Sequence, residues 1–447
     1  MQDFRSFIAK LEKNGELLRI RKEVDARHIS SLVAQAPKAV FFENVRGFDF
    51  PVVSGVIGTR KRVAIAMDCP ENEIGKQFSK AIGNLIPPKI VKTGPCKEVI
   101  LRGEEVDLTK FPIPLLHTKD GGPYITGGVV CSEDPEYGPN AGMYRLMFRT
   151  KNETGIDLAS PSDMRRYYEK VFKQGKPLEV GIALGLHLFE MLSAGYKAPI
   201  DMNEFAVAGG LHGKPVELVR CETNNVLVPA NAEIVLEGEI LPIGWTADEG
   251  RFGEFSHLQG DVKWNPVVRI QAITHRKDAL FYALHMPWEN DWLSGPALEA
   301  AAWRALKEAS VEAVAVRATP GSCCAFEIVA AVKKRAGEGK NALLALLSVG
   351  QVKLAIVTDD DIDISNPDEV DWAMALRVQA DQDVIVIPGA RGKHLDPSTK
   401  AWTLPKDSMP TAAKLGIDAT IPDGVARSRY ERLEYTYKNA VRLSEYL

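Results

Sequence analysis

Between residues 106 and 290, seven short apolar runs follow one another with glycine, proline or asparagine between them. They are Ile125–Cys131, Met143–Arg149, Leu178–Leu184, Val216–Cys221, Glu233–Leu236, Val267–Ile273 and Leu280–Leu284. Only Met164–Phe172 repeats clearly at helical spacing. Many short strands at this density predict an antiparallel barrel or sandwich. At 447 residues the chain is too long for one hydrophobic core, so further units must flank this one.

Both flanks read as α/β. The first, residues 1–105, opens with an amphipathic helix: Phe4, Phe7, Ile8 and Leu11 share a face, Asp3 stands as N-cap, and Asn14-Gly15 is the stop. The short runs Ala39–Phe42, Val52–Ile57 and Val63–Met67 follow, each closed by a turn signal. The third unit, residues 296–425, alternates helix formers (Ala297–Ser310) with buried-strand runs (Val352–Val357, Val384–Ile387). Asn366-Pro367-Asp368-Glu369 starts a helix, with a cap residue, a first-turn proline and acids at the positive dipole end. Residues 426–447, rich in tyrosine and charge, predict a terminal helix that packs on a neighbouring subunit.

Composition narrows the function classes. A formal charge of -4 with no dominant basic block argues against nucleic acid or an anionic membrane as a partner held by charge. No run approaches the ~18 apolar residues of a membrane span. The first residues mix acids and bases through their apolar positions, unlike a signal peptide. Six scattered cysteines form no disulfide ladder and no C-x-x-C pair, which fits a reducing, cytoplasmic setting.

There is no H-E-x-x-H, no G-x-S-x-G elbow, no P-loop spacing at Gly337-x-Gly339-Lys340 and no G-x-G-x-x-G after a strand. Asp359-Asp360-Asp361 with Asp363 reads as a solvated strand end, with cation binding the lesser alternative. Glu249-Gly-Arg-Phe-Gly-Glu254 says more. Carboxylates five apart diverge on a strand or a helix, so they converge only through irregular backbone, which Gly250 and Gly253 permit. The alternative is an exposed acidic turn. In Asn140-x4-Arg145-Leu-Met-Phe-Arg149, alternation puts Arg145 on the face of Met143 and Met147. A guanidinium in an apolar layer needs carboxylate partners, unless this is an edge strand whose arginine reaches water. With Glu249 and Glu254 around it, one carboxylate holds the arginine and the other serves as an acid. Asn140 and Glu204 offer hard oxygen ligands suited to Mg²⁺ or Mn²⁺, although two oxygens alone also fit a surface turn.

At these residues the sequence resembles the UbiD family of decarboxylases, and the likeness runs along the whole chain. It covers residues 111–128, the N-x4-R segment, the Glu204 turn, residues 228–239, the E-x4-E segment, Asp359–Ile364 and Leu415–Thr420. The resemblance implies a central split-barrel domain, residues 106–295, binding prenylated FMN with a divalent metal, usually Mn²⁺, and K⁺ beside the cofactor phosphate. It assigns Asn140 and Glu204 to the metal and Arg145, Glu249 and Glu254 to catalysis. The family's third ligand is often a histidine. Here residues 159–164 hold none, leaving Asp163, Ser162 or water in its place. Lys393, in Gly392-Lys393-His394, is the expected basic phosphate contact.

The implied reaction is reversible, non-oxidative decarboxylation of an α,β-unsaturated, aromatic or heteroaromatic carboxylic acid through a covalent prenyl-FMN adduct. Arg145 would orient the carboxylate, Glu249 would hold Arg145, and Glu254 would protonate the carbon that loses CO₂. The expected partners are a small acid and CO₂, a flavin prenyltransferase as cofactor supplier, and further copies of the chain as a homodimer or homohexamer. The segment from His285 to Ser294, with Trp288, Asn290 and Trp292, reads as a pocket lining or a domain junction. Two other readings compete: an FMN-dependent oxidoreductase on a split barrel, and a non-catalytic carrier of prenyl-FMN.

Overall fold

The computed structural model describes all residues except 1, 159, 160, 351, 401, 402, 405–407, 438 and 439. Ala159 and Ser160, part of the segment in which a third metal ligand is sought, therefore lie outside the described residues.

The helix Phe4–Lys13 forms as its pattern requires, capped by Asp3 and burying Phe4, Phe7, Ile8 and Leu11. Strands Leu17–Ile20, Ala39–Phe42 and Val52–Ser54 make a small sheet whose fourth strand, Phe281–Tyr282, comes from the end of the middle stretch. Val63–Met67 lies in a helix, Arg60–Met67, capped by Thr59.

The middle stretch supplies eight strands of a nine-stranded sheet, the ninth being Val99–Arg102 of the first unit. Its central ladder pairs Leu178–Leu184, Ile234–Ile240 and Val267–His275 antiparallel, and Val129–Asp134 and Gly138–Met143 continue it on one side. Ile182, Leu236 and Ile270 bury one face of this sheet with Tyr167 and Tyr168 of the helix Asp163–Phe172. The expected strand Met143–Arg149 is two strands: Gly138–Met143 and Leu146–Thr150 are separated by Tyr144 and Arg145. Arg145 thus leaves the ladder, because its charge binds carboxylates that a flat sheet face would not offer.

The third unit has strand order Ala313–Ala318, Glu327–Val332, Leu354–Asp359, Thr411–Ala419, Val384–Arg391. Its three central strands are parallel and both edges antiparallel. Val384–Arg391 is an edge strand and not a buried one, with Val386 63% exposed. The helix expected from Ala297 begins at Trp288 and runs to Glu308 through Pro296. Ser294-Gly295-Pro296 reads locally as a stop, but burial of Trp292, Leu293 and Ala300 carries the helix through. Asp359 and Asp361 hold Arg377, and Asp363 accepts from Ser365, so the acidic run is a braced strand end.

Among the described residues the terminal helix is not formed. Among the described residues from 427 onward there are two 3-10 turns, Arg427–Tyr430 and Leu443–Glu445. Arg427 and Arg432 tie this stretch to Asp360 and Glu369, while Leu433 and Tyr435 stand in solvent. An amphipathic segment without a surface to cover has little to hold it helical. No helix among the described residues is long and apolar enough to cross a membrane.

Candidate active site

The site grows from the break in the sheet. Arg145 lies between two strands, and a separate hairpin, Ala247–Glu249 with Lys263–Asn265, closes over it. Glu249 takes Arg145 in a fork, Nε to Oε1 at 2.9 Å and Nη2 to Oε2 at 3.0 Å. Glu254 meets Nη1 with both oxygens, at 3.0 and 3.1 Å. The two glutamates therefore converge on one cation, as the E-x4-E spacing requires of an irregular backbone.

The glycines between them serve close approach. A Cβ on Gly250 would lie 2.2 Å from Gly121 Cα, and one on Gly253 would lie 2.3 Å from His117 Nδ1. Asp120 fixes the same loop, accepting from Gly253 N–H and Gln259 Nε2–H, each at 3.0 Å. Gly250→Ala is expected to destabilise the protein by about 1–3 kcal/mol through backbone overpacking, read as a lower denaturation midpoint. An unchanged midpoint would contradict this packing.

Three groups around Arg145 escaped the sequence reading. Asp157 Oδ2 lies 3.0 Å from Nη2, Lys263 Nζ lies 3.2 Å from Glu254 Oε1, and Asn265 donates to Glu249 Oε2 at 2.7 Å. None carries a motif; strand register and the hairpin bring them in. The Phe252 ring lies under the guanidinium, 4.6 Å from its carbon. Burial opposes the charge of Arg145, but Asp157, Glu254 and Glu249 outweigh it and hold its pKa well above the usual arginine value. Arg145 is a fixed cation.

Beside this trio is a cavity of about 180 Å³. Its walls include Met143, Arg145, Phe252, Glu254, Met286 and Asn290, whereas Glu249 is not among them. The aromatic-rich segment thus divides. Met286 and Asn290 face the cavity, Trp292 is buried near Arg60, and Glu289 is a structural acceptor for Gly55, Ile57 and His285 N–H groups.

Asn140, in strand Gly138–Met143, and Glu204, first residue of helix Glu204–His212, meet nearby: Asn140 Nδ2 donates to Glu204 Oε1 at 3.1 Å, and Ala141 N–H donates to Oε2 at 3.1 Å. Burial pushes Glu204 up to about 7 against these bonds, and Asp163 adds to the rise. Asn140 Oδ1 is buried with no hydrogen-bond partner. An orphaned carbonyl oxygen beside a carboxylate short of positive charge is the donor set of a hard divalent cation. Asp163, at the start of its helix, is the third oxygen donor close enough to act on Glu204.

Lys393 follows the edge strand of the third unit and sets Nζ 3.7 Å from the centre of the Phe255 ring, another wall of the cavity. Burial, then the nearby Lys197, pushes Lys393 down to about 7, while Glu254 acts the other way.

Three family models match the chain in order. They are the N-terminal, Rift-related and C-terminal domains of 3-octaprenyl-4-hydroxybenzoate carboxy-lyase, at residues 8–82, 89–287 and 291–419. The anhydromevalonate phosphate decarboxylase of Methanothermobacter thermautotrophicus is 34% identical over 94% of this chain and 96% of its own length. The phenolic acid decarboxylase of Sedimentibacter hydroxybenzoicus is 31% identical over 94% and 92%. Among solved structures, the UbiD-class enzyme HmfF from Pelotomaculum thermopropionicum in complex with FMN superposes over 100% of both chains, with a TM-score of 0.92 and 36% identity. An evolved dimeric form of HmfF in complex with prFMN covers both chains equally, at 0.89 and 34%.

Proposed function

Because the chain belongs to the UbiD family of carboxy-lyases, we propose that it reversibly decarboxylates a small α,β-unsaturated, aromatic or heteroaromatic acid with prenylated FMN. The observation that carries this reading is the Glu249–Arg145–Glu254 arrangement on the wall of a cavity.

The roles follow from position. Arg145 is a fixed cation facing the cavity and binds the substrate carboxylate. Glu249, saturated by Arg145 and Asn265 and set back from the cavity, holds Arg145 in its orientation. Glu254 is the glutamate of the pair that faces the cavity, and it delivers the proton to the carbon that loses CO₂. Asn140, Glu204 and Asp163 would hold Mn²⁺ or Mg²⁺, with K⁺ nearby, and Lys393 would contact the cofactor phosphate. Bound prenylated FMN would supply the electron sink that an sp² carboxylate needs and that side chains cannot provide. A flavin prenyltransferase would furnish it, in the cytoplasm, to a homodimer or homohexamer.

Lys393 gives this reading a pH signature. A depressed lysine is charged below its pKa and neutral above it, so it attracts phosphate most below pH 7. Wild type is expected to bind plain FMN about tenfold more tightly than Lys393→Met below pH 7, with the gap closing as pH rises through 7. Fluorescence titration of both proteins at each pH measures it. A gap independent of pH would contradict the placement.

The direct test is co-expression with a flavin prenyltransferase, anaerobic purification and the mass of the released cofactor. Prenylated FMN at one equivalent supports the proposal. Plain FMN with NADH oxidation would favour an oxidoreductase instead.

A further inference from the structure

We propose a second metal site, for Zn²⁺ or a similar borderline cation, formed by His187, Glu190 and His212 and separate from the oxygen donors around Glu204. His187 caps the helix Leu188–Gly195, which carries Glu190, and His212 ends the helix Glu204–His212 packed against it. One donor atom from each of the three lies within 4.8 Å of the others. They line a solvent-connected cavity of about 210 Å³ whose charged walls also include Asp3, Glu217, Lys89 and Lys214, two of each sign.

The hydrogen-bond pattern points to a ligand. Gln2 Oε1 lies 2.9 Å from His212 Nδ1, and an amide oxygen only accepts, so Nδ1 carries a proton. Nε2 faces Glu190 Oε1 at 2.9 Å, so either a second proton or a cation lies between them. A carbonyl oxygen fixing one ring nitrogen and leaving the other free is how proteins orient histidine ligands. Donors each about 2.1 Å from Zn²⁺ stand roughly 3–3.5 Å apart, near the 2.9 Å between His212 Nε2 and Glu190 Oε1, with His187 within 4.8 Å of both.

The second oxygen of Glu190 shows why a cation fits better than a proton. Glu190 is only 7% exposed, and its Oε2 has no hydrogen-bond partner among the described residues. A proton on His212 leaves that oxygen unmet, whereas a cation serves both. His187 is the weakest ligand, because Nδ1 also accepts Phe189 N–H at 3.3 Å and coordination competes with that cap. Two imidazoles and one carboxylate select Zn²⁺, Co²⁺ or Ni²⁺ over Mn²⁺ or Mg²⁺. The ion would tie the segment at Gln2 to both helices. It would also anchor the far end of the helix whose first residue is Glu204.

The test uses Co²⁺ added to metal-stripped full-length protein, read by its visible ligand-field absorption and by competition with Zn²⁺. The expected result is one equivalent bound with nitrogen-ligand absorption, lost in His212→Gln and weakened about tenfold or more in His187→Gln. It should be retained in Glu204→Gln, which separates this site from the one near the proposed cofactor. Circular dichroism confirms that each variant is folded, and Glu190→Gln provides an independent loss if His212→Gln is not. Absorption that persists in both His212→Gln and Glu190→Gln, or that vanishes in Glu204→Gln, would overturn the proposal.

Discussion

Glu254→Gln is expected to keep the cofactor and lose about 100-fold or more in turnover. The substitution preserves shape, and its amide oxygen can still accept from Arg145 Nη1, so the cavity wall survives. What it removes is a carboxyl group able to hand a proton to the carbon left after CO₂ departs, and a positioned acid typically contributes 10²-fold or more. Glu249→Gln serves as the contrast. Glu249 lies behind Arg145, so its change should disturb binding of the acid through Arg145 more than the proton step. Steady-state kinetics on protein loaded with prenylated FMN, with cofactor content measured in parallel, decides between them. Near wild-type turnover in loaded Glu254→Gln would remove it from its role.

Arg145→Met should produce the largest loss of stability of any single change at the site. One guanidinium is shared by the carboxylates of Glu249, Glu254 and Asp157, all within 3.1 Å. Removing one partner of a buried ion pair leaves uncompensated charge and costs about 3–5 kcal/mol. Lys263 reaches Glu254 and sits 3.8 Å from Asp157, so it covers part of that deficit but leaves Glu249 without a cation. Adding Glu249→Gln to Arg145→Met should therefore restore part of the stability and none of the activity. Urea denaturation of wild type, the single and the double variant measures this. A single variant as stable as wild type would contradict the ion cluster.

The antiparallel core of the middle unit was legible because many short apolar runs follow one another, punctuated by glycine, proline and asparagine. Leu178–Leu184 lies where its pattern puts it. The pairing of Glu249 and Glu254 was legible only once Arg145 stood beside it, since two carboxylates five apart with glycines between them fit an exposed acidic turn as well. What was not legible depends on contacts from distant elements. Asp157 reaches Arg145 from beyond the strand Glu153–Gly155, Lys263 and Asn265 reach its partners Glu254 and Glu249 from a separate hairpin, and no local spacing announces them. Periodicity carried the strand through Arg145, where tertiary charge pairing breaks it. At Pro296 burial carries the helix through a residue that locally breaks one, and beyond residue 427 richness in tyrosine and charge did not make a helix among the described residues. His187, Glu190 and His212 share no motif because two helices and a loop separate the last from the first two.

Isotope exchange reads the reversible loss of CO₂ itself. Protein loaded with prenylated FMN and Mn²⁺ is incubated with a panel of small aromatic, heteroaromatic and α,β-unsaturated acids in ¹³C-bicarbonate, and the recovered acids are weighed by mass spectrometry. The account predicts that at least one small ring acid gains label in its carboxylate and releases unlabelled CO₂, and that Glu254→Gln abolishes both. Fully loaded protein that neither labels nor decarboxylates any acid of these classes would contradict it.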